Sequence, residues 1–369
     1  MIQCQLKLRP SKSVELALDG WLWNLTGVWN WGSRQIEQNA ANSVYFSKFE
    51  FLNLASNSSK TLRIPSHTIQ GTLATVHDSW TRCFKKVAKH PRLKGARRKL
   101  SSIPFPDPIR LVAGNRVALP LLGRLRYYKQ DIPHGRIKCG RLVKRASGWY
   151  LCLFIDAQRK PIAVRAERTS VGIDPGFATL LTLSNGEKIN HPRELKRGAE
   201  RLAQAQRGHD KVLASRLHER IANQKKDRNH KLSLDLVQRF STIYFSKDNL
   251  KGMSAGLFGK SVSASNHYQL RQMIRYKSRA GGTEFIEVDS NFSTRICHAC
   301  GTPSGPQGLA GLKVRHWECT SCGAQLDRDV NAAINTLNVG AGRALEARAA
   351  RAGLDLETPV VSGSVRFNL

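Results

Sequence analysis

The chain has 369 residues, enough for two or three domains with cores of their own. Its 59 lysines and arginines face only 27 acidic residues, a net charge of +32 that is too one-sided for a solubility device and points to a polyanion partner. No apolar run reaches the ~18 residues of a membrane span and no signal peptide opens the sequence, so a cytoplasmic nucleic-acid binder is expected.

Up to about residue 60 the composition is mixed. Trp21 and Trp23, and Trp29 and Trp31, are spaced to line one face of a strand or to spread round a helix. Packing is the ordinary role of such residues, and stacking on bases is the alternative. From Ile69 to Val87 the apolar positions Ile69, Leu73, Val76, Trp80, Phe84 and Val87 recur at three and four, which predicts an amphipathic helix. It runs into a basic segment containing Lys85, Lys86, Lys94, Arg97, Arg98 and Lys99, with no acid between Thr81 and Pro106. A charge run is usually a solvated face, but the length and single sign of this one favour contact with phosphates.

Residues 108 to 168 read as short strands punctuated by Gly114, Gly123, Gly135, Gly140 and Gly148. They carry Arg124, Arg126, Lys138, Arg141, Lys144 and Arg145, so a basic β-barrel that grips a duplex and a barrel with ordinary exposed charges are both open. At about Ala166 the character changes. Val171-Gly172-Ile173-Asp174 is a buried strand ending in a carboxylate, Ala178 to Ser184 a second strand, Asn185-Gly186 a tight turn, and Glu187 to Asn190 a third strand. A polar helical stretch follows from Arg193 to about Phe240. Then come a strand at Thr242–Phe245, a helix at His267–Arg279, a strand at Glu284–Asp289 and a last helix from Asp329. This βββαβαβα order is that of an RNase H-like α/β fold. The Ala- and Arg-rich tail after Gly340 is expected to be a short helix and a flexible end.

Two motifs carry chemistry. Cys297-His298-Ala299-Cys300 and Cys319-Thr320-Ser321-Cys322 supply four thiolates at the spacing of a tetrahedral structural zinc site. Four thiolates complete the coordination, which leaves His298 and His316 out of it. The remaining cysteines (Cys4, Cys83, Cys139 and Cys152) are scattered and read as reduced packing residues. Directly behind the second pair stands Asp327-Arg328-Asp329-Val330-Asn331-Ala332-Ala333. Metal-dependent phosphodiester cleavage needs carboxylates on rigid elements near a common point. Asp174, closing an apolar strand before Pro175-Gly176, and Asp329, opening a helix whose alanines permit close packing, meet that need. The bland readings are a turn aspartate and a helix N-cap. Asp327 is expected on another face.

VGIDPG at Val171–Gly176, Asn249-Leu250-Lys251-Gly252-Met253, the paired CxxC motifs and DRDVNAAIN at Asp327–Asn335 together resemble the transposon-encoded TnpB family. The resemblance runs from about His67 and is most specific in the last two hundred residues. It implies a RuvC (RNase H-like) nuclease domain with an inserted zinc module, preceded by a β-barrel-like wedge and a helical recognition region. On that plan residues 1–168 form the wedge and recognition region, 169–296 and 327–340 the two parts of RuvC, 297–326 the zinc module, and 341–369 a tail. It implies an RNA-guided DNA endonuclease, with a guide RNA from the transposon end, double-stranded target DNA, structural zinc at Cys297, Cys300, Cys319 and Cys322, and catalytic magnesium at Asp174 and Asp329. Arg328 joins the lysines and arginines of the basic segment as a nucleic-acid contact. One departure stands out. The family's strand-end glutamate falls at Ser246, which cannot replace a carboxylate. Asp289 is the first-ranked substitute, ahead of Glu287 and Asp248, and the alternative is a nuclease-inactive RNA-guided DNA-binding protein.

Overall fold

The computed structural model describes residues 1–55, 57–158, 161–191, 193–247, 259–289, 293–307, 311 and 313–342. Asp248, the Asn249–Met253 segment and the tail from residue 343 lie outside them. The chain divides into two compact units, Met1–Arg159 and Lys160–Leu369. Among the described residues no helix is long and apolar enough to cross a membrane.

The first unit begins with strand β1 (Ile2–Arg9) and the long helix α1 (Lys12–Ala41), which starts where the Ser11 hydroxyl accepts from the Val14 N–H. Three more helices follow: α2 (Lys48–Asn53), α3 (Ser58–Leu62) and α4 (Ser66–Phe84). Six strands complete it: β2 (Ser102–Phe105), β3 (Arg110–Val112), β4 (Arg116–Leu119), β5 (Gly123–Tyr127), β6 (Arg136–Arg145) and β7 (Gly148–Asp156). Their order in the sheet is β2-β6-β7-β1-β5-β4-β3. β1 is the central strand. Ile2–Lys7 pair with β7 and Leu8–Arg9 with β5, all antiparallel. The sequence predicts a barrel-like wedge here. The ends of the row, β2 and β3, are joined by no ladder among the described residues.

One face of the sheet is apolar. Leu6, Leu8, Val117, Leu125, Leu142, Leu151 and Leu153 are buried in one core with Leu18, Leu22 and Leu25 of α1 and Ile69, Leu73 and Val76 of α4. The tryptophans lie on a helix, not a strand. Trp21 and Trp29, eight residues and about two turns apart, are buried in this core, whereas Trp23 and Trp31 on another side of α1 are exposed.

The second unit is built on β8 (Thr169–Pro175), β9 (Thr179–Leu183) and β10 (Lys188–Asn190), then α5 (Arg193–Arg207) and α6 (Lys211–Arg239). The expected single helical stretch breaks at Gly208-His209-Asp210, where His209 has φ 55° and Asp210 caps α6 by accepting from the Leu213 N–H at 2.9 Å. Next come β11 (Phe240–Ser246), α7 (Gly259–Ser265), α8 (His267–Gly281) and β12 (Glu284–Val288). A small hairpin, β13 (His316–Glu318) with β14 (Gln325–Asp327), leads into α9 (Arg328–Gly340).

The five-stranded sheet has the order β10-β9-β8-β11-β12. β8 and β12 both run parallel to β11, while β9 is antiparallel to β8 and to β10. Side chains alternate across it. Tyr244 stands level with Gly172 and Ile286, and Phe245 with Ile173 and Glu287. The Gly172–Tyr244 row meets α9: a Cβ on Gly172 would lie 2.1 Å from the Ala333 carbonyl oxygen, and one on Gly340 would lie 2.1 Å from the Tyr244 ring. The next row meets α8, through the ion pairs of Glu287 with Arg271 and Arg275.

Candidate metal centre and acidic strand ends

The four motif cysteines converge. All four are free thiols, and their sulfurs lie within 4.8 Å of one another. Cys297 and Cys322 are 3.8 Å apart and Cys300 and Cys319 3.5 Å apart, close to the about 3.8 Å edge of a tetrahedron built on metal–thiolate bonds of about 2.3 Å. The two halves of the site are built alike. The Gly301 N–H donates to the Cys297 carbonyl and the Gly323 N–H to the Cys319 carbonyl, and both glycines sit at positive φ, 79° and 68°. Each CxxC-Gly therefore closes as a tight knuckle that a Cβ at the glycine would strain.

The thiols differ in environment. Burial pushes Cys297 up to about 12. Burial acts on Cys319 in the same direction, but the Ser304 hydroxyl and the backbone N–H groups of Cys322 and Ser321 bring it down to about 6. Sulfurs this close cannot all carry charge without a cation among them, so the donor set fits a soft divalent metal.

The knuckle is stapled to α9. The side-chain amides of Asn331 and Asn335, one turn apart, both donate to the carbonyls of Ser293 and Ile296, at 2.7 to 3.0 Å. Asn331 Oδ1 accepts from the His298 N–H at 2.9 Å. Both asparagines are buried. The sequence reading gave them no role, yet two asparagines at i and i+4 on a helix beside a cysteine knuckle are a legible signal for such a staple.

Asp329 lies in the first turn of α9, but it is not the cap. Asp327 caps the helix, accepting from the N–H groups of Asp329 and Val330 at 3.1 and 3.0 Å and pairing with Lys188 at 2.6 Å. The half-buried Asp329 carboxylate faces Arg315 at 3.3 Å. Arg328 donates to the Gly311 carbonyl at 2.8 Å, so part of its guanidinium is committed to the chain itself.

Asp174 is half-buried near the end of β8, two residues beyond Gly172 and on the same face. Ile173 is level with Phe245, and Ser246 with Val288, so Asp174, Ser246 and Val288 follow one another at the strand ends. Ser246 is buried. β12 ends at Val288, one residue short of the expected strand, and Asp289 beyond it is exposed. Glu287 faces away from this row, and two arginines of α8 hold its carboxylate. Among the described residues the four cysteines are the one group of three or more Cys, His, Asp and Glu arranged to hold a metal ion; the strand-end acids do not form another.

In the first unit, Lys85, Lys86, Arg98 and Lys99 are exposed. Lys94 is half-buried, with its ammonium 4.7 Å from the Trp29 ring and its backbone clasped in both directions by the Asn30 side chain at 2.8 Å. The side chain of Arg97 lies outside the described set.

Residues 155–255 match the family model described as "Probable transposase", and residues 267–336 match "Cas12f1-like, TNB domain". A Streptomyces pristinaespiralis protein named "Putative RNA-guided DNA endonuclease" is 30% identical over 338 residues, 85% of this chain and 80% of that protein. The InsQ protein of Escherichia coli (strain K12), which bears the same description, is 25% identical over 305 residues, 75% of each. Among solved structures, a Cas12f1–sgRNA–target DNA complex aligns over 92% of this chain and 99% of its own at 16% identity, with a TM-score of 0.38, too low to equate the two architectures.

Proposed function

Because the chain belongs to the TnpB family, we propose that it is an RNA-guided DNA endonuclease of a mobile element. The observation that carries the proposal is the 30% identity to a protein of that description over four-fifths of that protein's length. A guide RNA from the transposon end pairs with one strand of double-stranded target DNA, and the protein reads a short duplex motif beside it. The net charge of +32 suits both partners. The site of action is cytoplasmic and nucleoid-associated.

On this reading residues 1–168 grip the nucleic acids, 169–296 and 327–340 form a RuvC nuclease of RNase H-like fold, 297–326 form a zinc module, and 341–369 are a tail. The mixed sheet with β8 at its centre and α9 across it supports the nuclease assignment. The sulfur–sulfur distances support zinc at Cys297, Cys300, Cys319 and Cys322. Asp174 and Asp329 would hold magnesium, with Asp289 as the third acid; bound there, the ions activate water and stabilise the leaving oxygen of the cut phosphodiester. The chain itself fixes the acids. β8 and the α9 staple hold the backbones of Asp174 and Asp329, and Arg315 pairs with the Asp329 carboxylate. Lys85, Lys86, Lys94, Arg97, Arg98, Lys99 and Arg328 contact phosphates.

A second reading is favoured by Ser246, which occupies the family's glutamate position: a nuclease-inactive RNA-guided DNA-binding protein. A plasmid cleavage assay with co-expressed guide RNA and magnesium separates the two. Guide-dependent cuts that vanish in Asp174→Ala establish the nuclease. Guide-dependent binding without cuts, unchanged by Asp174→Ala, establishes the binder. Cuts that survive Asp289→Ala remove Asp289 from the site.

A further inference from the structure

The stretch between α1 and α2 lies over the C-terminal half of α4 and leaves a cavity of about 250 Å³ beneath it. His77, Trp80 and Phe84, spaced at three and four on one face of α4, line one side, and Val44, Tyr45 and Phe46 line the other. The Trp80 and Phe84 rings are 5.4 Å apart, and Tyr45 meets Phe84 edge-on at 5.7 Å. Tyr45 and Phe84 form an exposed rim, 67% and 45% accessible, while Trp80 is buried behind them. Such a wall suits a flat apolar ring. A cavity of about 150 Å³ already takes benzene, so this one has room for a single substituted ring.

Two polar atoms break the apolar character. Trp80 Nε1 and His77 Nδ1 are both buried and have no hydrogen-bond partner among the described residues. The indole N–H is a donor only. The His77 Nε2 lies 3.3 Å from the Phe46 carbonyl, which can only accept, so the neutral ring carries its proton on Nε2 and presents a lone pair at Nδ1. The Asp78 carboxylate stands 3.9 Å from the His77 Nδ1, beyond hydrogen-bond reach, and is held by Lys48 at 2.9 Å. One donor and one acceptor are thus left unmade three residues apart on the same helix face, where leaving them so is costly. A single hydroxyl on an aromatic ring meets both needs, because it accepts one hydrogen bond and donates another.

We propose that this cavity binds a phenol. The ring packs among Trp80, Phe84 and Tyr45; the hydroxyl accepts from the Trp80 indole N–H and donates to the His77 Nδ1. These contacts use none of the residues assigned to metal or to phosphate, so the site stands apart from the nuclease and nucleic-acid readings.

The test titrates the full chain by calorimetry with 4-methylphenol and with toluene, the same ring without the hydroxyl. A purely apolar cavity favours toluene, because a hydroxyl buried without partners is costly. The wild type is expected to bind 4-methylphenol at least as tightly as toluene. Trp80→Phe keeps a ring and removes the N–H; it should lose about three- to tenfold in affinity for 4-methylphenol, the worth of one hydrogen bond, while its affinity for toluene stays level and shows the cavity intact. N-acetyl-tyrosinamide, which carries the ring on a peptide backbone, identifies the source. Binding as tight as that of 4-methylphenol assigns the ring to a tyrosine of a partner, and weaker binding assigns it to a free phenol. Toluene bound more tightly than 4-methylphenol by the wild type, binding of neither, or an equal fall for both in Trp80→Phe overturns the site.

Discussion

Gly172 of β8 and Ala333 of α9 meet backbone to backbone: a Cβ on Gly172 would lie 2.1 Å from the Ala333 carbonyl oxygen and 2.6 Å from the Leu337 nitrogen. No rotamer change relieves that clash, because the atoms in the way belong to a helix. Asp174 is two residues along the strand from this contact and Asp329 one turn along the helix. Gly172→Ala is therefore expected to cost about 1–3 kcal/mol as an overpacked core site. The melting temperature of the second unit should fall by several degrees in calorimetry, and any cleavage should fall with it. An unshifted transition would show that the contact yields.

The asparagine staple predicts non-additivity. Asn331→Ala and Asn335→Ala each remove a donor from the Ser293 and Ile296 carbonyls, and Asn331→Ala also strands the His298 N–H. Each is expected to cost about 1–3 kcal/mol. Because the two share acceptors, the double variant should differ from the sum of the singles by at least about 0.5 kcal/mol in chemical denaturation. Additive losses would mean that the two amides act independently.

Metal content gives a separate check. The purified chain is expected to hold one zinc per molecule by elemental analysis, and Cys319→Ser should hold far less. Chelation should unfold the knuckle and change the fluorescence of Trp317, which packs in the same small cluster as Cys297 and Cys319. A chelated protein with unchanged fluorescence would separate the metal from the fold of this region.

The Asp327 cap predicts a pH effect. Burial acts to raise its carboxyl, but Lys188 and the N–H groups of Val330 and Asp329 win and hold it below the usual aspartate range. A depressed folded pKa stabilises above the unfolded value of about 3.9, and that contribution is lost as pH falls through the folded value. Asp327→Asn keeps a good cap and removes the charge. The variant should melt below the wild type at pH 6 to 7, and the gap should close as pH falls below about 4. A gap independent of pH would assign the effect to the cap geometry alone.

Much of the second unit is legible in sequence because its signals are local. The apolar run before Asp174, the Asn185-Gly186 turn (Gly186 at φ 87°) and the CxxC spacing each carry their own geometry. Strand alternation also gives the direction of Glu287, once Phe245 and Ile173 are placed in its row. The end of β12 is harder: nothing in Val288-Asp289 says that pairing stops at the valine. The cap is similar, since Asp327 and Asp329 both suit a helix start and only the backbone shows which one accepts the N–H groups. The tryptophan pairs allowed strand or helix at a spacing of two, and the burial of Trp21 with Trp29 decides for the helix. The role of β1 was not legible at all, because its partners lie more than a hundred residues away.

That separation sets a schedule for synthesis. β1 ends at Arg9, and its first partner, β5, begins only at Gly123. At about 5–20 residues per second, a ribosome leaves this half-apolar strand without a ladder partner for roughly 6–23 seconds. For that interval Leu6 and Leu8 are available to any passing chaperone or aggregating chain.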